Sequence, residues 1–232
     1  GRGIVEALGA TVTERDSGPP VVDLAGLDPR LGAVTLEIAC DVTNPLLGPA
    51  GAAATYGPQK GASPAQVRDL DARNAAWADA LEAAAGVAAR DVAGAGAAGG
   101  VGFAMLCLAG RFASFALRPG VELVMEPVGF GARLGSADIV ITGEGRIDAQ
   151  TAFGKTALGV ARLAQASGVR CIAVGGGVEP AGVQALALLG ATVVPVWERP
   201  IPVEEAMAAG AAPLIACGSR IARTMGGVAP GP

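Results

Sequence analysis

The stretch Ala137–Ala164, ADIVITGEGRIDAQTAFGKTALGVARLA, decides how the chain is read. Its apolar, β-branched run Ile139–Thr142 predicts a strand. A glycine-rich loop follows, then Gly154-Lys155-Thr156, then an amphipathic helix from about Lys155 to Gln165. Strand, loop and helix in this order predict a βα unit. Its loop would sit at the strand's carboxyl end, where open α/β sheets place ligands. The pattern approaches the phosphate-binding loop G-x-x-x-x-G-K-[ST] but misses it, because Ala149 stands where the first glycine belongs. Two carboxylates, Glu144 and Asp148, stand in the loop instead.

The same rhythm continues downstream. VRCIAVGGG (169–177) predicts a strand and Ala181–Leu189 a helix. ATVVPVW (191–197) predicts another strand, and a last helix starts near Val203, which Pro213 must kink or break. Strands near 138–142, 170–175 and 191–197 alternating with helices predict a parallel sheet and an α/β fold. This part reads as the C-terminal half of a Rossmann- or flavodoxin-like domain. Three strands make a thin sheet alone, so an exposed edge or apolar face is expected on it.

Upstream the rhythm differs. AVTLEIACD (33–41) predicts a strand ending on an acid, and residues 42–64 a long Gly/Pro-rich loop. Ser63 caps a helix whose first position is Pro64 and which runs to about Ala85, with Val67, Leu70, Ala75, Trp77 and Leu81 as its apolar positions. The glycine-rich AGAGAAGGVG leads into an apolar helix near Phe103–Leu108. VELVME (121–126) reads as a short strand and 129–136 as a loop or short helix. A boundary is expected near 127–137, giving a middle α/β domain over 1–132 and the Rossmann-like part over 133–232. The chain opens inside an amphipathic helix with Ile4, Val5 and Leu8 on one side and neither Met nor N-cap, so an N-terminal part is expected upstream.

Composition excludes several chemistries. The 232 residues contain no histidine. A Ser-His-Asp triad, a Cys-His pair and a His-ligated metal are therefore ruled out. A general base must be Asp, Glu or Lys, and a metal site must be built of oxygens, which suits Mg²⁺. The net charge of −4 has no basic cluster, which argues against nucleic acid as partner. Val92–Gly110 lacks charge but is mostly Ala and Gly, too weakly apolar for a membrane span. Four widely spaced cysteines without a C-x-x-C read as buried free thiols of a reducing cytoplasm, the expected location.

Four segments carry the candidate chemistry. Gly94–Gly99 matches the dinucleotide pattern G-x-G-x-x-G, but Ala-rich helix formers precede it where a strand is required. That argues against an NAD site and leaves a close-packed Gly/Ala linker or an anion site around Gly96 and Gly99. Asn44, Gln59 and Lys60 share the long loop and suit a small hydroxy acid; a structureless loop of that length is uncommon unless functional. In the opening stretch, Gly143 and Gly145 let backbone approach a ligand. Lys155 and Thr156 open a helix whose N–H groups favour phosphate.

Four motifs in order, ACDVTNPLLGPAGA (39–52), GPQKGASP (57–64), GAGAAGG (94–100) and ADIVITGEGRIDAQTAFGK (137–155), resemble the bacterial type 1 glycerate kinases over nearly the whole chain. The resemblance implies ATP- and Mg²⁺-dependent phosphorylation of D-glycerate, with 2-phosphoglycerate the usual product of the family. It implies two α/β domains, one inserted into a Rossmann- or flavodoxin-like domain, with the active site in the cleft, and small molecules as partners. The family's N-terminal segment would precede this chain. Asp148 and Glu144 are then the expected base and Mg²⁺ ligand in either order, with Asp41 a second metal ligand. Lys155 and Thr156 would bind phosphate, and Asn44, Gln59 and Lys60 the glycerate. Two other classes remain: a nucleotide- or acid-binding regulatory module without turnover, and an NAD-dependent oxidoreductase. The sequence leaves homo-oligomerisation open.

Overall fold

The chain divides into Gly1–Gly120 and Val121–Pro232, each with its own hydrophobic packing. The computed structural model describes residues 1–148, 151 and 156–225. Among these, no helix is long and apolar enough to cross a membrane.

The first unit opens with helix α1 (Arg2–Ala7), then a hairpin of β1 (Thr11–Thr13) and β2 (Val21–Asp23). Strand β3 (Thr35–Ala39) follows. Helices α2 (Ala52–Tyr56), α3 (Pro64–Ala85) and α4 (Val101–Cys107) then lead to β4 (Ser114–Arg118), which pairs parallel to β3. Val5, Leu46, Leu81, Phe103 and Leu108 are wholly buried and form the centre of this core. The segment after β3 is not the structureless loop expected. It contains α2 and a 3₁₀ turn, Pro58–Lys60.

Helix α3 has the predicted bounds because its ends are chemically marked. Ser63 Oγ accepts from Gln66 N at 3.3 Å, and Gln66 Oε1 accepts from Ser63 N at 2.8 Å, so two unpaired donors are satisfied reciprocally. Gly86 closes the helix at φ +70°. The helix buries only its later turns, at Ala78, Ala80 and Leu81, while Leu70 stays exposed. Ser63→Ala is expected to cost about 1 kcal/mol of unfolding free energy, seen as a lower urea midpoint with unchanged slope.

The second unit begins with α5 (Gly120–Met125) and α6 (Phe130–Leu134). Here the expected strand at 121–126 is wrong. Val121 and Met125 lie four residues apart and both turn into the second core, a helical spacing that the β-branched composition masks. Burial of Met125 and Leu134 in that core also draws the division of the chain ahead of the expected 127–137.

Strands β5 (Ile139–Ile147), β6 (Arg170–Val178) and β7 (Thr192–Pro195) then form a parallel sheet in sequence order, as the alternating pattern predicted. The connections are α7 (Thr156–Ala166) and α8 (Pro180–Ala187). Ala157, Ala161 and Ala164 of α7 are fully buried, a small-residue stripe that brings the helix close to the sheet. The opposite sheet face, with Ile172 and Val174, packs on Cys217 and Ile221 of α10 (Ala212–Met225). Short α9 (Val203–Ala208) precedes it, and Pro213 sits in the first turn of α10, where its missing N–H costs nothing. Strand β5 is an edge of this sheet, and its Ile141 is 55% exposed.

Candidate active site

In the second unit the carboxyl ends of the parallel strands carry the acids. Glu144 was expected on a loop, but β5 continues through it to Ile147. Glycines of β6 oppose this end of β5: Glu144 pairs with Gly175 and Arg146 with Gly177. A Cβ on Gly176 would lie 2.6 Å from the Gly145 carbonyl oxygen. Two backbones that approach this closely keep pairing although glycine is a poor strand former.

Glu144 braces the turn beyond the strand. Its Oε1 accepts from Ala157 N at 3.2 Å, and its Oε2 accepts from Thr151 Oγ at 3.3 Å. Thr151 is fully buried, and its Oγ in turn accepts from Asp148 N at 3.1 Å. Helix α7 thus takes a carboxylate on one of its first N–H groups from a strand side chain. This fixes Asp148 just past the strand. Its Oδ2 lies 3.5 Å from Arg146 Nε, and Arg146 also pairs with Glu179. Glu179, and more weakly Asp148, raise the pKa of the Arg146 guanidinium. Gly182 of α8 makes room for this turn, since a Cβ there would meet Asp148 N at 2.7 Å. Gly143 and Gly145 are exposed at the same strand end, and Thr156 is exposed at the start of α7. Lys155 lies outside the described residues.

In the first unit, Asp41 follows the end of β3 and accepts from Gly120 N through Oδ1 at 2.8 Å. The Asn44 amide is spent on its own loop. It donates to the Ala50 carbonyl at 2.8 Å and accepts from Tyr56 O–H at 2.8 Å. Asn44 thereby holds α2, which runs directly into the turn bearing Gln59 and Lys60, both exposed. The Asn44 carbonyl accepts from Gly96 N at 2.9 Å. A Cβ on Gly96 would lie 2.4 Å from the Pro45 carbonyl oxygen. Gly96 is therefore a close-packing glycine, and no strand precedes Gly94, only turns after α3. The dinucleotide reading lacks its strand. Gly99 has φ +68° with open space around it.

Among the described residues, no group of three or more acids and cysteines is placed to hold a metal ion. A nucleotide-bound Mg²⁺ takes only one or two protein carboxylates, and Asp148 at the end of β5 is one that could serve. The cysteines are free, and burial pushes the Cys107 thiol up to about 12, which removes it as a nucleophile.

The sequence reading missed a cleft of about 630 Å³ at the same strand ends. Its floor is Gly143–Arg146 with Gly177, and Trp197 and Met207 belong to its wall. Apart from Val174 of β6, its apolar wall residues come from beyond β7 and carry no motif; the one available signal was Trp197, one of two tryptophans.

The description of the glycerate kinase family matches residues 1–226. The chain belongs to the glycerate kinase family. Among its relatives, a glycerate kinase of Halalkalibacterium halodurans is 42% identical over 188 residues, 76% of this chain and 48% of that protein. A glycerate 2-kinase of Escherichia coli K12 is 40% identical over 176 residues, 71% of this chain and 45% of that protein. A crystal structure from Salmonella typhimurium LT2, assigned to glycerate kinase 2, superposes with a TM-score of 0.62 at 38% identity, covering 83% of this chain and 52% of the other. The chain thus spans about half the length of the glycerate kinases it matches.

Proposed function

We propose that this protein transfers the γ-phosphoryl group of ATP to D-glycerate, with Mg²⁺, giving 2-phosphoglycerate. The observation that carries this reading is the glycerate kinase family match over residues 1–226. In the reaction, the C2 hydroxyl oxygen bonds to the γ-phosphorus while the bond from that phosphorus to the β–γ bridging oxygen breaks. ADP leaves, and the hydroxyl proton goes to a carboxylate. Without histidine, Asp148 is assigned to receive it or to hold Mg²⁺, whose charge would offset that of the phosphates. Glu144 was a candidate for the same two roles. Both of its oxygens already accept protein hydrogen bonds, so it is better assigned to positioning the turn. Asp41, which holds Gly120 N, remains a second candidate metal ligand. Gly143, Gly145, Thr156 and Lys155 are assigned to phosphate. Gln59 and Lys60 are assigned to glycerate, with Asn44, Gly96 and Gly99 shaping the loops beside them. The first unit would be the inserted domain of the family and the second the C-terminal part of a Rossmann-like domain.

The full-length protein should form ADP from ATP and Mg²⁺ only when D-glycerate is added, followed in a coupled assay. Phosphorus NMR should show the product signal as a doublet, from one proton on the esterified carbon. A triplet would move the product to the 3-position. ATP binding without D-glycerate-dependent ADP formation would leave the regulatory-module reading in its place.

A further inference from the structure

We propose that the cleft at the carboxyl ends of β5–β7 receives the purine ring of the nucleotide, stacked on Trp197. The inference rests on the kinase reading above and assigns one end of one substrate. The wall is apolar, formed by Val174, Trp197, Ile201, Met207 and Leu214, while the floor is the Gly143–Arg146 strand end. D-Glycerate carries a carboxylate and two hydroxyls on three carbons. Against this wall those groups would lose water without gaining partners, which is costly. ATP alone of the two substrates has a flat, weakly polar surface of matching character, and the volume is that of a site for a ligand of its size.

Two further observations point the same way. Met207 is 80% and Leu214 58% exposed, so the wall holds large apolar side chains in water that a bound ring would cover. Strand β7 pairs with β6 only as far as Gly175, with Val196 N donating to the Gly175 carbonyl at 2.8 Å. Beyond it, Gly176 and Gly177 line the cleft with no strand of the described residues on that side and no side chain to keep a ring away. A base with its edge toward this backbone and its face on Trp197 directs its phosphates to the glycine floor, where Glu144 braces the turn into α7.

The test compares full-length wild type with Trp197→Ala, Trp197→Phe and Met207→Asn, by ADP and D-glycerate calorimetry and by KM for each substrate. Trp197→Ala should weaken ADP binding and raise KM for ATP by about tenfold, with KM for D-glycerate little moved. Trp197→Phe should recover most of that loss, because it restores a stacking face. Met207→Asn alters an exposed position, tolerates folding, and should weaken ADP in the same direction. Turnover with unchanged ADP affinity in Trp197→Ala and Met207→Asn overturns the inference and leaves the kinase reading standing. A KM change confined to D-glycerate also overturns it. ADP binding that depends on Trp197, in a protein without D-glycerate turnover, sinks the kinase reading and keeps the nucleotide cleft.

Discussion

Asp148→Asn is expected to leave the fold intact and to lower kcat with D-glycerate by about 10²-fold or more. The substitution keeps the side chain's shape and removes its charge. The substitution keeps two backbone bonds at this position: the Asp148 N–H donates to Thr151 Oγ at 3.1 Å, and its carbonyl accepts from Thr151 N at 3.0 Å. Neither bond involves the carboxylate. The ion pair with Arg146 spans 3.5 Å, and Arg146 is 63% exposed with Glu179 as a further partner, so its loss costs little stability. A carboxylate that takes the proton or holds the metal acts mainly in the transition state. Its loss therefore falls on kcat rather than on KM for either substrate. Steady-state rates against ATP and D-glycerate, with thermal melts of both proteins, separate these effects. A folded variant with near-normal kcat would reduce Asp148 to a structural acid and move the base elsewhere.

How much of this was legible in the sequence differs from element to element. Helix α3 was legible because its start is marked locally by Ser63 and Pro64; its end, read at about Ala85, is where Gly86 closes it. The parallel β5–β6–β7 sheet was legible because apolar packing lies on both of its faces, though Ile141 stays exposed at the β5 edge, so its strands read as largely apolar runs. The hairpin β1–β2 and strand β4 were not, being three to five residues long with mixed burial. Helix α5 was misread because Val121 and Val124 favour a strand locally, while the packing of Val121 against Gly159 is a tertiary fact. The role of Glu144 was hidden in the same way. Its partners Thr151 and Ala157 are close in sequence, but that β5 extends to reach them depends on Gly175–Gly177 across the sheet. Composition and motif located the acids; only the pairing showed that one braces the other's turn.

The glycines of GAGAAGG give the second large effect. Gly96→Ala is expected to destabilise the protein by about 1–3 kcal/mol. The backbone angle is not the cause, since Gly96 has φ −73°, which any residue adopts. The cause is contact. A methyl group would lie 2.4 Å from the Pro45 carbonyl oxygen and 3.1 Å from that of Asn44, and both are backbone atoms without a rotamer to escape into. Relief requires the Gly96 loop to move off the 44–45 segment, which stretches the 2.9 Å bond from Gly96 N to the Asn44 carbonyl. Asn44 in turn carries α2 through Tyr56 and Thr55, so the disturbance reaches the turn of Gln59 and Lys60. A raised KM for D-glycerate should accompany the lower urea midpoint. Gly99→Ala supplies the contrast within the same motif: nothing lies within 4 Å of its Cβ position, and the cost there is the left-handed φ of +68° alone. If Gly96→Ala kept wild-type stability and lost only nucleotide or glycerate binding, the glycine would be there to admit a ligand. If it loses stability first, the motif is one in which two backbones touch, and its likeness to a dinucleotide loop comes from the glycine content that close packing also requires.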